Sequence, residues 1–260
     1  MSDISRAKRA AILVVHGRRR TGKTTLVEHC YGERNLIKLE GIEGKDTGYQ
    51  IESFLEQLSI FYSDPLIRQM RYSSWREPLR ELARRVEGRT ATIFLEELQW
   101  LASYKEDLIV ELKFIWDNYL SKNPNLILVL CGSSPSFMVS KVINSKALHN
   151  RSHYQIPLQP FTIPETIQFM QQRKGTLSSK GDTVVTPNQA LEGILLVGGI
   201  PEYLNYITLD SSPYLAFCAH AFKNGGFFTA ELSRIIVSSL AKEPKYLEIL
   251  ERIAKGLSLI

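Results

Sequence analysis

Two short stretches of this 260-residue chain carry the residue types and spacings of a reactive site. "GRRRTGKTT", Gly17 to Thr25, fits the pattern G-x-x-x-x-G-K-[ST]. Glycines let a backbone wrap an anion without Cβ clashes, and successive N–H groups leading into a helix supply positive potential. Gly17, Arg18, Arg19, Arg20, Thr21, Gly22, Lys23, Thr24 and Thr25 would then line a polyphosphate. Lys23 would reach its β- and γ-phosphates, and the Thr24 hydroxyl would ligate Mg²⁺. These residue types at these positions arise by chance in roughly one chain of this length in a hundred. For Arg18–Arg20 the alternative reading is solvated loop charge.

"IFLEELQW", Ile93 to Trp100, is an apolar run that ends in two acids. A buried strand that delivers paired carboxylates suits Mg²⁺-nucleotide chemistry: one acid orients the metal and its water shell, the other polarises the attacking water. Glu96 takes the metal role and Glu97 the general-base role. Sites of this kind usually present Asp first. The extra methylene of Glu96 extends its carboxylate by about 1.5 Å, one C–C bond, a displacement that a water-mediated contact to Mg²⁺ can absorb. The alternative is a pair that merely opens a solvated helix.

These stretches need elements to position them. "AAILVV" (Ala10–Val15), "NLIKL" (Asn35–Leu39), "ATIFL" and "NLILVL" (Asn125–Leu130) read as short, doubly covered strands. "HYQIPL" (His153–Leu158) reads as a fifth, whose proline suggests an edge or a strand end. Thr24–Cys30, the stripe Ile51, Phe54, Leu55 and Leu58, the segment Trp75–Val86, and the stripe Leu108, Leu112, Ile115 and Tyr119 read as helices between them. Strands alternating with helices predict a parallel α/β sheet. Beyond Pro160 the strand signal fades into proline-punctuated helices, so the expected domains are a core over 1–160 and a helical unit over 161–240. Arg173–Thr186 reads as a surface loop.

Composition narrows the classes. Hydrophobic residues make up 44% and charged residues 23%, as in ordinary globular proteins. The net charge is +5, but the first 25 residues alone hold seven bases and one acid, leaving −1 for the rest. Basic charge gathered at one loop indicates phosphate binding rather than a broad nucleic-acid face. Cys30, Cys131 and Cys218 fit neither a disulfide framework nor a zinc cluster, and each is expected to be a small buried residue. No apolar run approaches the roughly 18 residues of a membrane span, and "HGRRR" follows the first run where a cleavage site would stand. The expected location is the cytoplasm.

With "GRRRTGKT", "LEELQWL", "LVLCGSSPSFM" and "LVGGIPEYL" in that order, the chain resembles the predominantly archaeal ATPase family in the STAND group of AAA-related P-loop NTPases. The resemblance covers roughly residues 10 to 255. It implies a five-stranded AAA/ASCE-like sheet in the order 5-1-4-3-2 with a C-terminal helical lid, and ATP with Mg²⁺ as ligands. It implies that Ser133 is the sensor of the γ-phosphate, although a turn serine would suit "SSPS" as well. It implies a phosphate contact in cis or in trans for Arg151, and adenine packing for Pro201. Against the family pattern the chain has Glu96 for Asp and lacks the helix that precedes the first strand. Residues 241–260 resemble the start of a winged helix, whose apolar face over Tyr246–Ile253 would need another surface.

Three functions are therefore expected to compete. The first is a slow Mg²⁺-dependent ATPase acting as a conformational switch. The second is a nucleotide-holding interaction module with little turnover, working through a protein partner or self-association. The third is a DNA-associated regulator.

Overall fold

The structure, a computed structural model, describes residues 9–146, 148, 151–173, 184–207, 212–229, 231, 248–249, 251–253 and 255–256. The chain divides into two compact units, Met1–Gln159 and Pro160–Ile260. The first holds five strands: β1 (Ala11–His16), β2 (Leu36–Glu40), β3 (Ala91–Glu96), β4 (Leu126–Gly132) and β5 (Ser152–Pro157). They form one all-parallel sheet in the order β2-β3-β4-β1-β5, which is the order implied above read from the other side. β5 is an edge strand, as its proline suggested.

Strand alternation sorts the apolar runs onto two faces. Ile12, Val14, Ile37, Leu39, Ile93, Leu95, Leu128 and Leu130 pack in one core with Phe54, Leu58, Trp75, Leu82, Leu112 and Trp116. These partners come from α2 (Thr47–Tyr62), α3 (Arg76–Val86), α5 (Asp107–Asn118) and, for Trp75, the residue before α3. On the other face Leu13, Val15, Phe94, Val129 and Cys131 pack with Val27 and Tyr31 of α1 (Lys23–Tyr31). Because both faces are covered, the strands read as continuous apolar runs rather than alternating ones.

Several sequence expectations shift. Asn35 is not in β2, because its φ of +56° is left-handed and incompatible with an extended strand. Tyr119 lies on the stripe of Leu108, Leu112 and Ile115, but α5 stops one residue earlier and leaves Tyr119 40% exposed. Only Cys131 behaves as a buried cysteine, and burial pushes its thiol up to about 12. Cys30 is exposed because the inward face of α1 is set by Val27 and Tyr31. Cys218 is partly exposed.

Two glycines allow close approach at the edge of the sheet where β1 and β2 end. At Gly17 a Cβ would lie 2.2 Å from the Leu158 carbonyl oxygen, where the chain after β5 crosses the start of the phosphate loop. At Gly41 a Cβ would lie 2.3 Å from Leu101 N and 2.7 Å from Glu97 O. The Gly41 N–H donates to Glu96 O at 3.0 Å, tying the end of β2 to the acid pair. A methyl group there must displace backbone, so Gly41→Ala is expected to lower the melting temperature by roughly 4–8 °C, the effect of about 2 kcal/mol of overpacking. Thermal unfolding followed by circular dichroism reads it.

In the second unit, α6 (Ile163–Gln172) and α7 (Pro187–Val197) each begin with a capping box, Thr162 with Glu165 and Thr186 with Gln189. Both have proline early in the first turn, where its missing N–H costs nothing. Met170, Val197, Tyr203 and Leu204 form its core, and the Tyr203 hydroxyl donates to Glu231 at 2.8 Å. Pro201 opens the short helix α8 (Pro201–Leu204). Most of 173–186, and most of 241–260 with its winged-helix resemblance, lie outside the described residues.

Candidate functional site

The phosphate loop leaves β1 at Gly17 and enters α1 through Gly22, φ +86° and ψ 20°. No side chain caps α1, and its first turn holds no acid. The helix thus keeps its positive end and terminal N–H groups for an external anion. Lys23 is only 7% exposed. Its ammonium donates to the carbonyls of Gly17 (3.1 Å) and Arg18 (2.7 Å). Burial holds its pKa below the usual lysine value, and the carboxylates of Glu97 and Glu96 oppose that shift. A desolvated cation satisfied by two carbonyl dipoles is suited to receive a phosphate. Burial likewise lowers His16, with Lys23 adding to the effect.

The rest of the loop is held locally. The Thr21 hydroxyl donates to Arg18 O at 2.8 Å, and Arg20 adopts a left-handed φ of +67°. Arg18 and Thr25 are exposed. The Arg19 guanidinium stands 5.3 Å from the Trp100 ring centroid and 4.0 Å from Glu43, so it is tied to the segment after the acid pair. Within the arginine run, solvated loop charge describes Arg18 and not Arg19.

β3 ends at Glu96, and Glu97 turns the chain with φ 48° and ψ 50° into the short helix α4 (Leu98–Leu101). A left-handed residue with a Cβ is uncommon and costs energy that the surroundings must offset. The turn sends adjacent carboxylates to separate partners. Glu96 Oε1 accepts from the Thr24 hydroxyl, joining residues 72 positions apart. Glu96 Oε2 lies 2.9 Å from Lys38 Nζ, an ion pair by distance that falls outside hydrogen-bonding angles. A hydroxyl and a carboxylate side by side are the hard oxygen donors Mg²⁺ accepts, so Thr24 and Glu96 fit that ion.

Glu97 Oε2 accepts from Ser133 Oγ at 2.7 Å and from Gln99 Nε2 at 2.6 Å, and Gln99 Nε2 also reaches Ser133 Oγ at 3.1 Å. Two donors converge on one oxygen and leave Oε1 to take a proton. Ser133 follows the last residue of β4 and meets the acid directly. Replacing Gln99 by leucine keeps the buried volume but frees one side of that carboxylate. Steady-state phosphate release from ATP is expected to show kcat down by about tenfold with KM unchanged, a loss confined to the transition state.

For Arg151 the strand register opposes a phosphate contact in cis, while a contact in trans stays an expectation. Arg151 precedes β5, whose Ser152 pairs with Ile12 at the start of β1, whereas the phosphate loop follows the end of β1. Parallel strands of this length separate the two edges by roughly 15–20 Å. Arg151 instead forms a double hydrogen bond with Asp117, at 2.6 and 2.9 Å, and holds that carboxyl below its ordinary value. Its place just before β5 therefore does not bring it to the loop in cis.

Three further residues belong to the site and were not singled out. Gln99 is one, two positions after Glu97. Lys38 stands in "NLIKLE", and a charge inside an apolar strand run was the available signal. Glu40 pairs in register with Glu96, and its carboxyl is pushed up by burial and then by Glu96.

A strand-borne phosphate loop facing a strand-borne acid pair across a parallel sheet defines a P-loop NTPase. The chain belongs to the family of ATPase domains found predominantly in Archaea, whose model matches residues 1–207, and is a nucleotide-binding ATPase domain at that level. Its fold is similar to the Walker-type ATPase PABY2304 of Pyrococcus abyssi, at 18% identity and TM-score 0.54, over 98% of this chain and 76% of that one. It is also similar to the Aeropyrum pernix ORC2 protein, solved as ADPNP-ADP complexes, at 17% identity and TM-score 0.54, over 86% and 64%. A third is the Thermotoga maritima RuvB Holliday junction branch migration motor, at 13% identity and TM-score 0.54, over 95% and 75%. No curated protein matches the sequence. Among the described residues no helix is long and apolar enough to cross a membrane, and no cluster of three or more His, Cys, Asp or Glu could hold a metal.

Proposed function

We propose that the chain is a slow, Mg²⁺-dependent ATPase of the cytoplasm that works as a nucleotide-driven conformational switch. The observation that carries this reading is the uncapped, acid-free N-terminus of α1 beside the buried ammonium of Lys23. The amides of Gly17–Thr25 cradle the phosphates, and Lys23 exchanges its carbonyl partners for phosphate oxygens. Thr24 and Glu96 would hold Mg²⁺, which would neutralise charge on the phosphates. Glu97 accepts a proton from water as the water oxygen bonds to the γ-phosphorus and the bridging bond to ADP breaks. Ser133 and Gln99 orient Glu97, and Arg19 braces the loop against Trp100. Pro201 is assigned to adenine by its motif alone.

Turnover is slow because both oxygens of Glu96 already have partners in the protein. The same observation favours a second reading, an interaction module that retains ATP without hydrolysis. Phosphate release with and without Mg²⁺, measured alongside ATP retention, separates them. Mg²⁺-dependent release that stops in Glu97→Gln supports the ATPase, whereas retention without release supports the module. Absence of both contradicts the nucleotide-site reading. A protein partner or self-association through the helical unit is proposed for the switch. DNA association is a further reading, distinguished by salt-sensitive binding that survives Lys23→Ala.

A further inference from the structure

Among the described residues Lys38 is the cation closest to the metal-side carboxylate, and the nucleotide-site reading gives it no role. In the register of β2 with β3, Lys38 stands opposite Phe94 and Glu40 opposite Glu96. Alternation puts all four side chains on one face of the sheet, the face covered by α1. From there the Lys38 ammonium stands 5.9 Å from the centroid of the Phe94 ring, 2.9 Å from Glu96 Oε2 and 3.1 Å from Glu28 Oε1 on α1. The pair is asymmetric: the Lys38 side chain is 35% exposed, that of Glu96 only 9%. A dry carboxylate is thus met by a cation reaching in from an edge strand. The extra methylene of Glu96, about 1.5 Å of reach, lets its carboxylate meet Thr24 and Lys38 at once.

We propose that Lys38 is a tethered counter-ion of Glu96 that competes with Mg²⁺ for that carboxylate and so sets how strongly nucleotide binding depends on Mg²⁺. The inference rests on Glu96 being the metal-side acid. With Mg²⁺ present, a divalent ion and an ammonium share one carboxylate and repel each other. Without Mg²⁺, the ammonium offsets part of the repulsion between Glu96 and an incoming polyphosphate. Lys38 therefore weakens Mg·nucleotide binding and supports Mg-free binding. A unit charge acting on a divalent ion across about 5 Å of well-screened medium changes an affinity by about tenfold.

The test is calorimetric binding of a non-hydrolysable ATP analogue in EDTA and in excess MgCl₂, for wild type, Lys38→Met and Lys38→Arg. Methionine keeps the aliphatic stem and removes the charge, while arginine restores it. The ratio of the EDTA to the MgCl₂ dissociation constant measures the coupling between metal and nucleotide. It is expected to rise about tenfold in Lys38→Met and to return toward wild type in Lys38→Arg. A purely structural role for Lys38 would shift both constants together and leave the ratio fixed. An unchanged or reduced ratio in Lys38→Met, with nucleotide still bound, overturns this inference alone. A wild type that binds no nucleotide in either buffer overturns it together with the nucleotide-site reading.

Discussion

Lys23→Ala is expected to lower ATP affinity by about a hundredfold or more while leaving the fold intact. The ammonium is buried and held only by the Gly17 and Arg18 carbonyls. Charge-assisted hydrogen bonds to phosphate in such a place contribute about 3 kcal/mol, which is roughly a factor of 150 in affinity. Stability should move the other way. A lysine whose folded pKa is lowered by burial is one whose charged form the fold disfavours at neutral pH. Removing it relieves that penalty and loses two hydrogen bonds, so the melting temperature of the ligand-free protein should stay level or rise. Calorimetric titration and thermal unfolding of the same preparation read the two effects. Weaker binding with a lower melting temperature would point to a structural lysine.

Glu97→Gln is expected to cut phosphate release by at least a hundredfold and to leave ATP binding within a few-fold of wild type. General-base catalysis by a positioned carboxylate is worth 10²–10⁴ in rate, and an amide cannot take the proton from water. The substitution preserves the oxygen that accepts from Ser133 and Gln99, so the local geometry survives. ATP should consequently remain bound and intact, which chromatography of the released nucleotide would show. Full turnover in this variant would remove Glu97 from the base role.

The sheet was legible because each strand is buried on both faces and writes itself as an unbroken apolar run. Strand placement from these runs was good to within two residues, as with Leu126–Gly132 against "NLILVL". The misplaced ends have local causes: the left-handed turn at Asn35, and the end of α5 just before Tyr119. The strand order was different in kind. Apolar runs do not say which strand neighbours which, and only the resemblance carried by the motifs implied it.

The site was legible where one motif contains its own partners, as in Gly17–Thr25, and less so where partners come from distant segments. Lys38 and Glu96 belong to different strands, and Ser133 and Glu97 stand 36 positions apart. Periodicity carries no trace of such pairings. Arg151 shows the converse, because a residue that precedes one parallel strand stands at the opposite edge of the sheet from a loop that follows its neighbour, which leaves only the in-trans expectation. The reach of Glu96 that suits the metal also serves Lys38.

The central claim is that the backbone amides around Gly22 close on a phosphate chain. Amide hydrogen exchange followed residue by residue, with and without ATP and Mg²⁺, tests it most directly. The expected result is at least tenfold slower exchange for residues 18–25 when ATP is present, abolished in Lys23→Ala, with exchange in α3 unchanged. Exchange at 18–25 that ignores saturating ATP would contradict the claim.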